Sequence, residues 1–238
     1  MLKEKVAIVT GATGALGRVV TRKLVQNGVK IVALYRKEKA LDELQEFLGE
    51  LGSNIIGFMG DATDSQSVQG LVQKAIDDYG NVDILLNIVG AYSGGKILAD
   101  TNEKSWDRMM NVNLKSAFLC CKAVLPHMME RKYGKIVNIS ARTAVQRGTR
   151  ARSGAYAVSK AGVITLTEAL AEETKDYGIQ VNCIMPSTID TEENRRMLPK
   201  ADFSKWVDPE EIAEVMLFLV SDASKPTSGA SIPVYGRA

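Results

Sequence analysis

Tyr156 and Lys160 lie four residues apart in a long apolar-periodic segment of the sequence. On a helix, residues four apart share one face, so the phenol and the ammonium would be neighbours. A free tyrosine keeps its proton up to about pH 10, and an adjacent cation lowers that pKa. The pair predicts a general acid/base that exchanges a proton with an alcohol or carbonyl oxygen. The alternative is an ordinary amphipathic helix with a half-buried tyrosine and a solvated lysine.

A glycine-rich turn near the start of the chain has the pattern of a phosphate site. It follows the strand-like run 6–10 and precedes a helical pattern that begins near Leu16. Glycines let the backbone approach an anion, and the helix N-terminus offers free N–H groups. The spacing differs from the G-x-G-x-x-G of most dinucleotide sites, so the alternative is a tight turn that needs glycine only for its geometry.

The end of the second strand favours NADP over NAD. In an NAD site, an acid about 20 residues beyond the glycines binds the adenosine ribose. Here the strand ends in Tyr35-Arg36-Lys37, and the first acid is Glu38. A guanidinium suits the extra 2′-phosphate of NADP, and Arg18 could reach the same phosphate. The alternative is that Arg36 and Lys37 are solvated charges at the start of a helix, which would leave NAD(H), the less favoured cofactor.

Alternating strand and helix patterns predict the fold. We expect an α/β fold, a three-layer doubly wound parallel sheet (Rossmann fold) of about seven strands, with its ligand crevice at the carboxyl ends. No linker or repeat is visible, so residues 1–238 are expected to form a single dinucleotide-binding and catalytic domain. The polar segment at about 190–206 is expected to be a mobile substrate lid, and residues 104–132 one long helix. The predicted strands are 6–10, 30–35, 54–59, 82–87, 134–140, 178–185 and 231–234.

The composition is that of an ordinary globular protein, with 45% hydrophobic and 24% charged residues. A formal net charge of +2 gives no reason to expect a nucleic acid or a membrane as partner. The apolar runs are short, and no signal-peptide pattern precedes the first strand. The three cysteines lack metal-ligand spacing and the only histidine is His127, so we expect no metal site. These features indicate a cytoplasmic protein.

Taken together, these pieces resemble the short-chain dehydrogenase/reductase family over essentially the whole chain. The most similar branch is that of the single-domain enzymes that include the 3-oxoacyl-[acyl-carrier-protein] reductases. Each piece alone is weak, but the combination and its order are specific. The matching motifs are Thr10-Gly11-x-x-x-Ala15-x-Gly17, Asp61, Asn87-x-x-Gly90, Asn113, Ile136-Val-Asn-Ile-Ser140, Tyr156-x-x-x-Lys160 and Pro186 with Thr191.

The resemblance implies an NADP(H)-dependent oxidoreductase that moves a hydride between nicotinamide and a carbonyl or alcohol carbon. Tyr156 would donate the proton, Lys160 would lower its pKa and hold the nicotinamide ribose, and Asn113 would hold a relay water. A homotetramer or homodimer is also implied. The rival interpretation is a non-catalytic NADP(H)-binding sensor on the same fold. The cofactor-binding residues would be Gly11, Thr13, Gly14, Ala15, Leu16, Gly17, Arg18, Tyr35, Arg36, Asp61, Ala62, Asn87, Gly90, Tyr156, Lys160, Pro186, Ile189 and Thr191.

The sequence departs from the family pattern at three places. The family motif Asn-Asn-Ala-Gly is replaced by Asn-Ile-Val-Gly at residues 87–90. The family's Pro-Gly is replaced by Pro-Ser at 186–187. The usual Ile-Ser-Ser reads Ile-Ser-Ala, so Ala141 stands where a serine normally orients the substrate oxygen. Ser140 is the predicted replacement and the fourth catalytic residue, with Thr143 as the alternative.

Basic residues cluster around the expected crevice and predict an acidic ketone or an anionic, carrier-linked substrate such as a 3-oxoacyl thioester. The alternative is that they are solvated or lie at a subunit contact. These residues are Arg142, Arg147, Arg150, Arg152, Arg195, Arg196 and Lys200.

Overall fold

One sheet of seven parallel strands forms the centre of the computed structural model, which describes residues 2–237. The strand order is β3-β2-β1-β4-β5-β6-β7, which confirms the predicted doubly wound α/β fold. The chain crosses from one half of the sheet to the other between β3 and β4, so the crevice opens beside β1 and β4. The strands are β1 (Val6–Thr10), β2 (Lys30–Tyr35), β3 (Ile55–Met59), β4 (Ile84–Asn87), β5 (Gly134–Ile139), β6 (Ile179–Pro186) and β7 (Ser231–Val234).

Helices cover both faces of the sheet. Within the described residues, no helix has the length and apolar character needed to cross a membrane. The helices are α1 (Ala15–Gln26), α2 (Glu38–Leu48), α3 (Ser65–Tyr79), α4 (Glu103–Met109), α5 (Ser116–Arg131), α6 (Arg142–Val145), α7 (Gly154–Thr174), α8 (Glu192–Met197) and α9 (Pro209–Val220).

Strand alternation divides the core into two layers. On one face, Ala7 and Val9 of β1 belong to the cluster that contains apolar residues of α1, α2 and α9. On the other face, Ile8 packs in the cluster formed by α3, α5 and α7. Because both faces of β1 are buried, its sequence is a continuous apolar run rather than an alternating one.

The predicted long helix 104–132 is interrupted. A π-helical turn at Met110–Lys115 separates α4 from α5. Such a turn contains an extra residue and changes the phase of the helix that follows. As a result, Asn113 is only 2% exposed, whereas Asn111 is exposed.

Two short helices lie between the main elements. Helix α6 lies in the loop that follows β5, and α8 lies inside the segment 190–206. The hydroxyl of Thr191 accepts a hydrogen bond from the backbone N–H of Asn194 (3.2 Å) and so caps the start of α8.

A buried polar network links the sheet to α7. Asn87 and Asn138 are register partners on β4 and β5, and the Asn87 amide donates to Asn138 Oδ1 at 2.8 Å. The Asn138 amide in turn donates to Thr167 Oγ1 on α7 at 2.9 Å. Buried amides are costly unless they are hydrogen-bonded, so these bonds favour one placement of α7 over the sheet.

Candidate active site

Four chain segments that leave strands meet at one edge of the sheet. They follow the carboxyl ends of β1, β4, β5 and β6, which the parallel register places side by side. Helix α7 crosses this edge and carries Tyr156 and Lys160 in its first two turns. The structure therefore brings the glycine turn and the predicted proton donor into one crevice, which is the usual ligand position in such a sheet.

The glycine turn after β1 forms a close-packed cradle. Gly11 has a φ of +70°, a left-handed conformation that favours glycine. A Cβ on Gly17 would lie 1.9 Å from the Gly11 carbonyl oxygen, so α1 can approach the turn only without a side chain there. Gly14 is the N-cap of α1 and has no side chain that could cap the helix. The first turn of α1 contains no acidic residue. The N-terminal N–H groups of α1 are thus available to an anion.

Thr10 ties this cradle to the neighbouring strand. Its hydroxyl donates to the Leu86 carbonyl (3.3 Å) and accepts from the backbone N–H groups of Ile88 (3.1 Å) and Val89 (3.3 Å). A Cβ on Gly11 would also meet the Val89 nitrogen at 3.0 Å. The loop after β4 is therefore fixed against the glycine turn.

Beside the cradle, α1 and the segments after β2 and β3 contribute two exposed arginines and one acid. Arg18 and Arg36 are exposed, and the Arg18 guanidinium lies 5.4 Å from the Phe47 ring centre. Asp61 Oδ1 accepts from both the N–H and the hydroxyl of Thr63 at 2.8 Å. The bond from the Thr63 N–H, assisted by its hydroxyl and by the nearby Arg36 charge, lowers the pKa of Asp61. Tyr35 ends β2 beside these groups, and Ala62 is buried.

Lys160 is buried at the centre of the crevice. It is only 5% exposed, and its ammonium donates to the Ile139 carbonyl at 2.7 Å. A Cβ on Gly90 would lie 3.2 Å from both Lys160 Nζ and Asn113 Oδ1, so glycine is needed for these groups to approach. Burial lowers the pKa of Lys160 to about 8, because desolvation disfavours the charged form.

The Tyr156 phenol lies under an aromatic neighbour. The ring of Tyr92 meets it edge-on, with 5.0 Å between centroids and 76° between planes. Burial raises the pKa of Tyr156 to about 12, and Tyr92 adds to the rise. This direction differs from the lowering that the Tyr156–Lys160 spacing predicts, because Lys160 binds a backbone carbonyl and is itself desolvated.

Both polar atoms of the Asn113 side chain form hydrogen bonds. Its Oδ1 accepts from the Ala91 N–H at 2.8 Å, and its Nδ2 donates to the Ala91 carbonyl and to Ser159 Oγ, both at 3.0 Å. Ser159 Oγ in turn donates to the Tyr156 carbonyl at 2.8 Å. Asn113 thus lies beside Lys160, as expected, but its side chain joins the loop after β4 to α7.

Ser140, the predicted fourth catalytic residue, uses its hydroxyl in a contact with α7. Its side chain is 2% exposed and its hydroxyl donates to the Lys160 carbonyl at 2.7 Å, so it supports α7 instead. The following residue, Ala141, is buried and has no hydroxyl. Thr143, the alternative, is partly buried on α6, and its hydroxyl forms no hydrogen bond within residues 2–237.

The segment after β6 borders the opposite side of the crevice. Pro186 is the buried last residue of β6 and pairs in register with Val234. The Ile189 carbonyl accepts from the Thr191 N–H at 2.9 Å and from Asn194 Nδ2 at 2.8 Å. The Ile189 carbonyl is therefore occupied, while Thr191, although it caps α8, still has a hydroxyl proton to donate.

Most of the predicted basic residues have local partners. Both Nε and Nη2 of Arg150 donate to backbone carbonyls of α6. Arg195 pairs with Asp190, and Arg196 pairs with Glu192. These three guanidinium groups support the loops and are not free for a substrate.

Sequence reasoning did not assign a role to three residues that the structure places at the site: Thr10, Tyr92 and Ser159. Thr10 and Ser159 lie inside matched motifs, next to Gly11 and Lys160, so their positions were available as a signal. Tyr92 lies in a loop with no periodic pattern, and only the fold brings it to α7.

A family model for short chain dehydrogenases matches residues 5–202. The chain is 34% identical to the (2S)-[(R)-hydroxy(phenyl)methyl]succinyl-CoA dehydrogenase subunit BbsD of Thauera aromatica, over 99% of this chain and 96% of that protein. It is 32% identical to the 3-oxoacyl-[acyl-carrier-protein] reductase of Thermotoga maritima, over 99% and 98% of the two chains.

Solved structures agree with these sequence relatives. NAD+-bound xylitol dehydrogenase superposes with a TM-score of 0.90 at 27% identity and 99% coverage of both chains. ElxO with NADP bound gives a TM-score of 0.91 at 25% identity, over 98% of this chain and 97% of the other. The chain belongs to the short-chain dehydrogenase family. It is therefore an oxidoreductase of CH–OH and C=O groups, on a fold that binds a nicotinamide cofactor.

The glycine cradle gives a first test. Gly17→Ala forces a Cβ against the Gly11 carbonyl, so we expect a loss of about 1–3 kcal/mol in the free energy of unfolding and at least about tenfold weaker binding of the nicotinamide cofactor. Chemical denaturation measures the first effect, and fluorescence titrations with NADPH and with NADH measure the second. In the matched variant Gly14→Ala, the nearest atom would be 3.3 Å away rather than 1.9 Å, so a clearly smaller loss of stability is expected. A Gly17→Ala protein of parental stability would contradict the close packing.

Proposed function

We propose that the protein is an NADP(H)-dependent oxidoreductase that transfers a hydride between nicotinamide and a carbonyl or alcohol carbon. The observation that carries this proposal is the buried ammonium of Lys160, one helical turn from the Tyr156 phenol and next to Gly90 and Asn113. A buried lysine beside a glycine-lined crevice is costly in a purely structural role. The bound cofactor would supply the hydride, and the side chains supply the proton and the positioning.

Tyr156 is the proposed proton donor in the reducing direction. Because burial raises the pKa of its phenol to about 12, Tyr156 is protonated at neutral pH. It can donate this proton to the substrate carbonyl oxygen, which becomes basic when the hydride is added to the carbonyl carbon. Lys160 stabilises the resulting negative charge and holds the nicotinamide ribose. Asn113 already uses both polar side-chain atoms in hydrogen bonds, so we propose that a relay water is held by the backbone of the π-helical turn.

The adenine side supports NADP(H) as the cofactor. Arg18 and Arg36 are exposed, and no carboxylate precedes Glu38 at the end of β2. The structural relatives include both NAD+-bound and NADP-bound proteins, so the preference rests on these two arginines. NAD(H) remains the less favoured cofactor. Ala62 and Asn87, with Pro186, Ile189 and Thr191, complete the proposed cofactor contacts.

The rim of the crevice supports a substrate with an apolar part. Large apolar side chains are exposed there: Tyr92 (59%), Ile97 (49%), Leu98 (70%), Met197 (54%) and Leu198 (51%). A 3-oxoacyl thioester or another acidic ketone has such a part, and one relative is named as a reductase of carrier-bound 3-oxoacyl groups. The sensor alternative is less favoured, because the relatives are enzymes and Tyr156 and Lys160 are retained.

The wider organisation is also proposed. Residues 1–238 would act as one cytoplasmic catalytic domain, in which the segment 190–206 closes over the substrate. A homotetramer or homodimer would pack through α5 and α7, whose exposed apolar residues include Phe118 (45%) and Val158 (49%).

The role of the phenol is tested by Tyr156→Phe. The variant should bind NADPH like the parent but reduce 3-oxoacyl thioesters and simple ketones at least roughly 10²-fold more slowly, because only the proton donor is lost. NADPH oxidation and a binding titration measure the two effects. Tyr177→Phe, a remote and more exposed tyrosine, is the matched control. Turnover at the parental rate by Tyr156→Phe would refute the assignment.

The charge of Lys160 predicts a pH dependence. Since burial lowers the pKa of Lys160 to about 8, the ammonium loses its proton above that pH, whereas Tyr156 stays protonated. The initial rate of reduction should therefore fall above about pH 8, by up to roughly tenfold per pH unit. In Lys160→Met the residual rate should be low and lack this decline. A parental rate that stays constant to pH 10 would contradict a charged Lys160.

Cofactor preference is tested at the end of β2. Arg36→Ala should raise the Kd for NADPH by about tenfold or more and leave that for NADH nearly unchanged, because only NADPH bears the 2′-phosphate. Lys39→Ala, which removes an exposed charge three residues later on α2, should change neither. Equal losses for both cofactors in Arg36→Ala would exclude a role in recognising the phosphate.

A further inference from the structure

A small cavity lies beside the first turn of α7, on the side of the loop that follows β4. Its volume is about 220 Å³. It lies against Gly154 and Ala155, the two residues before Tyr156, so it is within one helical turn of the proposed proton donor. Its polar lining consists of two cations and four hydroxyl groups: Lys96, Arg152, Ser93, Thr101, Ser105 and Ser153.

The lining of the cavity contains two cations and neither Asp nor Glu. Neither Lys96 nor Arg152 forms an ion pair within residues 2–237, unlike Arg195 and Arg196 on the other side of the crevice. Two cations that line one cavity without an acidic partner favour an anion between them.

The backbone holds the two cations together. The Gly95 N–H donates to the Arg152 carbonyl at 2.8 Å, and Arg152 Nη1 donates to the Gly95 carbonyl at 3.3 Å. Arg152 has a φ of +62°, a left-handed conformation that is uncommon for a residue with a side chain. Such conformations persist only where the surrounding structure stabilises them, and they are frequent at functional sites.

We infer that this cavity is a subsite for an anionic group of the substrate, a carboxylate or a phosphate, held by Lys96 and Arg152. The inference rests on the proposed function and specifies its substrate class. Because the cavity adjoins Tyr156, the anion must lie only a few bonds from the carbonyl that is reduced. This favours a charged group on the substrate itself over the distant phosphates of a carrier arm.

The subsite is tested with matched pairs of ketones that differ only in charge. Acetoacetate is compared with its methyl ester, and dihydroxyacetone phosphate with dihydroxyacetone, so the two pairs distinguish carboxylate from phosphate. The parent enzyme should prefer the anionic member of at least one pair by about tenfold or more in kcat/KM. A preference for the neutral member of both pairs would overturn the inference.

Two substitutions link this preference to the cavity. Lys96→Gln with Arg152→Asn removes both charges, and asparagine tolerates the left-handed backbone at 152. The double variant should lose the preference for the anion and keep the parental rate on the neutral ketones, while Arg152→Lys should retain much of the preference. Lys104→Ala, an exposed lysine just outside the cavity, is the control and should behave like the parent. A preference that survives in the double variant would place the anion elsewhere.

Ion binding tests the subsite independently of the proposed reaction. Calorimetry with inorganic phosphate and with acetate should detect binding to the parent protein saturated with NADP+, and at least about tenfold weaker binding to the double variant. Ion binding without turnover of any ketone would refute the proposed reaction and leave the subsite supported. An absence of binding by both ions, or equal binding by parent and double variant, would refute the subsite.

Discussion

The arrangement of the site depends on one buried amide, the side chain of Asn113. Three of its hydrogen bonds join the backbone of Ala91 to Ser159, and Ser159 continues the connection to the carbonyl of Tyr156. An unpaired amide at this depth would cost about 1–3 kcal/mol, so the loop after β4 and the start of α7 are held in one relative position. The π-helical turn is what makes this possible, because its extra residue turns Asn113 towards α7.

The strands and the main pair were predictable because their signals are local. β1 and β2 have the expected bounds, since a buried parallel strand is a continuous apolar run between polar or glycine residues, and the bounds of the edge strand β7 also match. Tyr156 and Lys160 share a helix face because their spacing requires it. The π-helical turn was not predictable, because its stability comes from tertiary hydrogen bonds. The direction of the Ser140 hydroxyl was not predictable either, because successive residues of an extended chain point to opposite sides.

The basic residues show why charge alone does not define a binding site. In the sequence, Arg150, Arg152 and Arg195 are equivalent positive charges near one crevice. In the fold, Arg150 binds backbone carbonyls and Arg195 pairs with Asp190, so both are used in the loops. Within residues 2–237, Arg152 donates only Nη1 to a backbone carbonyl, and it lines one cavity with Lys96, which is 56 positions earlier and carries no sequence signal of its own. The partner of each cation, set by tertiary contacts, decides whether its charge is available to a ligand.

The missing serine and the positive cavity belong to the same problem of substrate orientation. A serine hydroxyl beside the proton donor would orient the carbonyl oxygen directly, but Ala141 has none and Ser140 supports the helix backbone. Binding energy from a part of the substrate that does not react can position the reacting carbon as well. An anion held at Lys96 and Arg152 would fix one end of a short substrate, and the Tyr156 phenol would bind its oxygen. Two contacts a few bonds apart restrict rotation of the carbonyl, so the proposed anion subsite accounts for how this site orients a ketone without the family serine.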